Sequence, residues 1–248
     1  RAVLDAGPRR IVLGIGGSAT TDGGAGILDA LGAWVETDRI DLVGLDARLA
    51  GLDLLVACDV TNPLLGPDGA AATYGPQKGA GPEDVATLDA RLAAYADLLE
   101  AATGRHERDT PGAGAAGGVG FGLLCLTDRF HALSLEPGVD LIAGEVDLDA
   151  KLARASLVIT GEGRIDAQTA FGKTALGVAR RAQAAGVRCI AVGGGVDAAG
   201  IAALEPLGVD VEAVHLTPLP VAEAMAAGAA PLVACGERLA RNATWLAA

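Results

Sequence analysis

The apolar residues of this chain fall into short runs separated by glycine-rich, small-residue stretches. Residues 11–15 (IVLGI) form an apolar run rich in β-branched side chains, which predicts a buried strand. Residues 16–24 (GGSATTDGG) follow with almost no side-chain bulk. Ala25, Ile27, Leu28 and Leu31 then recur at helical spacing, and Gly32 is a helix stop. Residues 54–58 (LLVAC) predict a second buried strand. Residues 83–102 read as an amphipathic helix, with Val85, Leu88, Leu92, Tyr95, Leu98 and Leu99 on one face. Beyond Leu148 the rhythm changes. Strands at 157–160, 188–192 and 209–215 alternate with helices at 171–185 and 198–204, and helices close the chain over 221–246. That alternation predicts a parallel, Rossmann-like α/β sheet. Three strands are few for such a layer, so this half reads as part of a domain completed elsewhere. The boundary falls at residue 150, dividing the chain into 1–149 and 150–248, with no long linker and no internal repeat.

The turns carry the candidate chemistry. A strand, a small-residue turn and a helix start bring backbone N–H groups to one point, which suits an anion. Ser18, Thr20 and Thr21 add hydroxyls there and Asp22 a carboxylate. The competing reading is a tight turn whose glycines meet backbone demands alone. Asp59 and Asn62 follow the strand at 54–58 and precede Pro63. They read as a binding loop or, more commonly for an isolated loop, as an Asx-turn that ends the strand. Gly112, Gly114 and Gly117 match the dinucleotide pattern GxGxxG, but the charged, proline-ended stretch before them is no strand, so that reading is rejected. Residues 111–126 read instead as a Gly/Ala-rich helix start, packed close to a neighbour or a ligand.

Residues 161–174 (GEGRIDAQTAFGKT) are predicted as a loop beyond the carboxyl end of the strand at 157–160, where ligands of open α/β sheets sit. Glu162, Arg164, Asp166 and Lys173 gather there, although Arg164 and Asp166 could also form a plain surface ion pair. The Gly-Lys-Thr triplet at 172–174 is no P-loop, because Ala167 stands where the pattern needs glycine.

Composition narrows the class. The 248 residues suffice for one large or two small domains with real cores. The net charge of −12, with no basic patch, excludes a nucleic-acid binder. No apolar run reaches membrane-spanning length, and the first residues do not resemble a secretory signal. Cys58, Cys125, Cys189 and Cys235 are widely spaced and read as small core residues in a reducing compartment. Of 19 basic residues only Lys78, Lys151 and Lys173 are lysines, and two of these lie in glycine-rich loops. Lysine there, in a chain that otherwise uses arginine, points to a site that wants a compact charge. The chain opens on Arg1 rather than Met, which predicts residues before it, and residues 37–39 join their flanks abruptly.

Five blocks carry a resemblance: GIGGSATTDGGAG at 14–26, ACDVTNPLLG at 57–66, YGPQKGA at 74–80, PGAGAAGG at 111–118 and TGEGRIDAQTAFGK at 160–173. In content and order they resemble the bacterial glycerate kinases of the first type, across essentially the whole chain. Thr21, Phe171 and the glycines at 193–195 depart from the usual residues. The resemblance implies two α/β domains, one inserted into the other, with the site in the cleft between them. It makes 1–149 most of the inserted domain, and 150–248 the C-terminal half of the Rossmann-like domain, whose N-terminal part is missing here.

It further implies a cytoplasmic enzyme, monomeric or homodimeric, that uses ATP and Mg²⁺ to phosphorylate D-glycerate, at the 2-hydroxyl sooner than the 3-hydroxyl. The alternatives are a kinase of another small hydroxy acid, or a non-catalytic binder on the same scaffold. Within this reading, Asp59, Glu162, Asp166 and Lys173 are the catalytic candidates, and Asp59, Glu162 and Asp166 the Mg²⁺ candidates. Gly16, Gly17, Ser18, Thr20, Asp22, Asn62, Lys78, Gly114 and Arg164 are the substrate- and phosphate-binding candidates, with Arg164 placed to fork a carboxylate. Lys173→Ala and Asp166→Asn are each expected to lower turnover about a hundredfold. A folded variant that turns over like the parent in a steady-state assay removes that residue from the mechanism.

Overall fold

The computed structural model describes residues 1–167, 169, 174–217 and 219–241. It divides into two compact units, Arg1–Leu141 and Ile142–Ala248.

The first unit opens on the short helix α1 (Ala2–Asp5) and is built on a parallel three-stranded sheet of β1 (Arg10–Gly14), β4 (Asp53–Ala57) and β5 (Ala132–Glu136), with β4 in the centre. The runs at 11–15 and 54–58 thus form β1 and β4, each shifted by one residue. Strand β5 has no counterpart in the sequence reading. Its ALSLE pattern alternates, where the other two are continuous apolar runs. Helix α2 (Ala25–Leu31) follows β1 and ends at Gly32 in the left-handed conformation, as its position predicts. Residues 37–39 turn a small antiparallel hairpin of β2 (Trp34–Val35) and β3 (Ile40–Asp41), which removes the apparent abruptness.

Helix α3 (Ala70–Tyr74) leads into the 22-residue α4 (Pro82–Thr103), and α5 spans Ala115–Cys125. Leu28, Leu54, Val56, Leu64, Leu92, Leu99 and Phe121 form the buried centre. Between α4 and α5 the chain is pinned by Glu100, which is 5% exposed. Its carboxylate accepts from the N–H groups of Glu107 (3.0 Å) and Arg108 (3.1 Å) and from the Arg108 guanidinium (2.7 Å). Burial by itself would raise its pKa, but these hydrogen bonds outweigh burial and hold it below the ordinary value.

The start of α5 is not ordinary helix. Ala116, Gly117 and Gly118 are left-handed, with φ of 55°, 72° and 94°. This turn presses backbone against backbone. A Cβ on Gly117 would collide with the Thr20 carbonyl, and one on Gly118 would lie 2.6 Å from the Gly23 Cα. The Gly/Ala block therefore serves close approach to a protein neighbour.

The second unit is β6 (Leu157–Ile165), α8 (Thr174–Ala184), β7 (Arg188–Val196), α9 (Ala198–Leu204) and β8 (Asp210–Ala213), a parallel sheet in that strand order. Helices α6 (Gly138–Glu145) and α7 (Leu148–Leu152) precede it, and α10 (Val221–Ala226) and α11 (Ala230–Arg241) follow. Ile165, Leu176, Ala179, Cys189 and Leu204 pack one core. Ile190, Val192 and Cys235, the last from α11, pack another.

Two boundaries correct the sequence reading. Strand β6 runs through residues 161–165, which were expected in a loop, and β7 runs through Gly193–Gly195 to Val196. Glycine is a poor strand former taken locally, but pairing supplies the reason. A Cβ on Gly194 would lie 2.7 Å from the Gly163 carbonyl, so the two strands meet where side chains would not fit.

Gly118→Ala should destabilise the protein by about 3 kcal/mol, from overpacking and a strained φ together. Gly51→Ala, whose Cβ meets nothing within 4 Å, should change stability by less than ~0.5 kcal/mol. Equal urea midpoints for the two variants would refute the backbone-packing account.

Candidate active site

In the first unit the carboxyl ends of β1 and β4 open onto a cavity of about 190 Å³. Ile15, Gly16, Gly17 and Ser18 line it from the loop after β1, and Ala57 to Val60 from the end of β4. Tyr74, Gln77 and Lys78 close one side, and Ala115 and Ala116 another. The left-handed turn of α5 is thus part of the wall, and Ala116 carries its positive φ there.

The loop after β1 is rich in unused donors. Among the described residues, none accepts a hydrogen bond from the backbone N–H of Gly16, Gly17, Ala19, Thr20, Thr21 or Asp22. The next N–H, that of Gly23, donates to the Gly117 carbonyl at 3.0 Å. A Cβ on Gly16 or Gly17 would meet nothing within 4 Å, so no protein atom crowds that backbone. Open glycines beside unpartnered N–H groups are the arrangement that cradles an anion.

Lys78 adds the cation. Its Nζ donates to Ser18 Oγ at 3.0 Å and to the Thr20 carbonyl. No carboxylate among the described residues forms an ion pair with it. Burial lowers its pKa from the ordinary lysine value, while the nearby charge of Asp22 works the other way. An ammonium group has three donors, so one is left for a ligand.

Two expected binding residues are spent on structure. The Asp22 carboxylate accepts from the N–H groups of Gly24 and Gly26, both at 3.0 Å, and so caps α2. Asn62 donates to the Asp68 carbonyl (2.8 Å) and accepts from the Tyr74 hydroxyl (2.7 Å), tying residues 62–74 together. Gly114 faces protein as well: its N–H donates to the Asn62 carbonyl at 2.9 Å. Asp59 is exposed in the cavity wall, with Oδ1 held by the Gly138 N–H at 2.7 Å.

In the second unit Glu162, Arg164 and Asp166 lie at the carboxyl end of β6. Glu162 Oε1 accepts from the Ala175 N–H at 3.1 Å, near the start of α8. Glu162 Oε2 is buried and has no hydrogen-bond partner among the described residues. Arg164 Nε stands 3.5 Å from Asp166, and its Nη2 stands 4.0 Å from Asp197, so the simple ion-pair alternative is present. The Asp166 N–H donates to Thr169 Oγ1 at 3.1 Å. Lys173, a catalytic candidate, and Phe171 lie outside the described residues. Among the described residues no three His, Cys, Asp or Glu side chains are grouped so as to hold a metal ion.

The sequence reading did not single out Tyr74, Gln77 or Asp197. The first two lie inside the YGPQKGA block. Asp197 is the first residue after β7, a position that favours function in parallel sheets.

Fold and site together define an α/β protein with a loop of open N–H groups beside a lysine. The model of the glycerate kinase family matches residues 1–244. A glycerate kinase of Halalkalibacterium halodurans is 41% identical, over 98% of this chain and 67% of its own length. One from Bacillus subtilis is 46% identical, over 79% of this chain and 54% of its own. A glycerate 2-kinase of Escherichia coli is 42% identical, over 73% and 50%. A crystal structure described as a glycerate kinase 2 from Salmonella typhimurium LT2 matches with a TM-score of 0.72 at 39% identity, covering 96% of this chain and 68% of that one. The chain belongs to the glycerate kinase family, and its matches span about half to two-thirds of these relatives.

Asn62→Ala should lower stability by about 1 kcal/mol, the net scale of an intramolecular hydrogen bond in a part-exposed place. A urea midpoint equal to the parent's would return Asn62 to the ligand-binding candidates.

Proposed function

We propose that the protein to which this chain belongs transfers the γ-phosphoryl group of ATP to the 2-hydroxyl of D-glycerate, releasing ADP. The observation that carries the reading is the pairing of unpartnered N–H groups with a carboxylate-free lysine, in a member of the glycerate kinase family. The relative named glycerate 2-kinase supports the 2-hydroxyl.

Phosphoryl transfer asks a protein mainly to position reactants and neutralise charge. The donors of the loop after β1 and Lys78 offer fixed positive potential to an anionic group, with little reorganisation when it arrives. Arg164, 66% exposed and held between two carboxylates, keeps its guanidinium presented toward solvent for an anionic oxygen. Asp166 is the candidate to take the hydroxyl proton, and Lys173 to neutralise charge on the transferring group.

The residues fit a Mg²⁺ requirement in its usual form, in which one or two carboxylates hold an ion otherwise bound by water and phosphate oxygens. The buried, partnerless Glu162 Oε2 is a hard anionic donor of that kind, and Asp166 lies on the same stretch. When bound, the ion would screen phosphate charge. Asp59 is better placed to serve the cavity of its own unit.

Full-length protein incubated with ATP, Mg²⁺ and D-glycerate should give a new phosphomonoester signal by phosphorus NMR, split by one proton for the 2-phosphate. Splitting by two protons would move the assignment to the 3-hydroxyl. Intact ATP with well-folded protein would overturn the glycerate reading, and turnover with another hydroxy acid would replace the substrate.

A further inference from the structure

We infer that the cavity of the first unit is the seat of the phosphoryl acceptor, a small hydroxy acid, and that the nucleotide is held elsewhere. Gln77 and Asp59 read the acid's hydroxyl groups, and Lys78 takes its carboxylate. This rests on the kinase reading and adds a division of labour that the family membership does not supply.

Size is the first argument. At about 190 Å³ the cavity falls below the ~300 Å³ at which sites for drug-sized ligands begin. A three-carbon acid is far smaller than such ligands, whereas a nucleoside triphosphate is at least as large.

Charge is the second. The cavity offers both a cation and a carboxylate, Lys78 and Asp59, in its lining. A hydroxy acid answers both, because its carboxylate accepts from the ammonium group and its hydroxyls donate to the carboxylate. A triphosphate carries only acceptors along its chain and would meet Asp59 with repulsion. Asp59 Oδ1 already accepts from Gly138, which fixes the carboxylate in place.

The remaining polar groups agree. Lys78 uses two donors on Ser18 and Thr20, so the third is aimed by the other two. The Tyr74 hydroxyl gives its proton to Asn62, which leaves its oxygen as an acceptor. Gln77 is exposed, lines the cavity and makes no side-chain hydrogen bond among the described residues. Its amide offers both a donor and an acceptor, as reading a hydroxyl group requires. Small apolar side chains, Ala57, Val60, Ala115 and Ala116, fill the rest of the wall and set its narrow bore.

The test measures binding of D-glycerate and of ADP separately, by calorimetry, to full-length parent, Lys78→Met, Gln77→Ala and Gln77→Glu proteins whose folding is verified by thermal melts. Lys78→Met should weaken D-glycerate at least about tenfold, the scale of a lost charge-assisted hydrogen bond. Gln77→Ala should weaken it several-fold and Gln77→Glu more, since it adds a second anion. ADP affinity should stay within twofold of the parent's in all three. Lost ADP affinity in folded variants, or unchanged affinity for both ligands, overturns the inference.

Cys58 supplies a second readout, because its thiol lines the cavity half-buried while Cys125, Cys189 and Cys235 are buried. Burial raises its pKa, so alkylation by iodoacetamide is followed in mildly alkaline buffer by peptide mass spectrometry. D-glycerate should protect Cys58 and ADP should not; the reverse pattern makes this the nucleotide's cavity. Glycerate binding and protection without any ATP consumption would sink the kinase reading yet keep the acid in the cavity. ATP-dependent phosphorylation with variants that bind glycerate normally would do the opposite.

Discussion

The first unit depends on one constraint, that nothing larger than hydrogen fits at Gly114, Gly117, Gly118 and Gly120 around the start of α5. Its left-handed turn lies directly on the loop after β1 and on the segment after β4. Cβ atoms at Gly114, Gly117 or Gly120 would collide with the carbonyls of Pro63, Thr20 and Gly112. Backbone-on-backbone contact brings three loops to one place without filling the space between them. The cavity is what remains. Ala116 pays for this with a left-handed φ, a conformation that costs a non-glycine residue about 1–2 kcal/mol. The strain falls in the cavity wall, where surrounding packing can enforce it.

Around that frame the polar groups divide into those already used and those held open. Asp22, Asn62 and the Gly114 N–H are used: they cap a helix, fasten a loop and join two segments. The N–H groups after β1 and the third donor of Lys78 are held open, as is Glu162 Oε2 in the second unit. Gly16, Gly17, Ala19 and Thr20 are exposed, so their N–H groups stay open to solvent, and their recurrence along one loop beside a lysine suits an anion.

The family membership and this geometry constrain each other. The solved structure described as a glycerate kinase 2 shares the fold, and the chain spans about half the length of the Bacillus subtilis and Escherichia coli relatives. The lining residues of the cavity, from Ile15 to Ala116, all belong to the first unit. The carboxylates and arginine at the end of β6 form a second, more exposed group. Its buried Glu162 oxygen matches what a phosphate-bound metal ion would ask of a protein.

Much of this was legible in residue order. The continuous apolar runs of β1 and β4, the helical spacing of α2 and α4 with the glycine that ends α2, and the alternation of the second unit all follow from neighbours a few positions apart. The glycine blocks and the placement of two lysines in loops marked where chemistry could sit, and five motifs carried the family. Tertiary structure decided the rest. It extended β6 and β7 through glycines because two strands needed close approach, and it made a strand of the alternating residues 132–136. It spent Asp22 and Asn62 on structure and left Lys78 without a carboxylate partner. Those outcomes were hidden from the sequence for one physical reason. Propensity and periodicity are set by residues nearby in the chain, whereas hydrogen-bond partners and desolvation come from residues far along it, as Lys78 meets Ser18 across 60 positions.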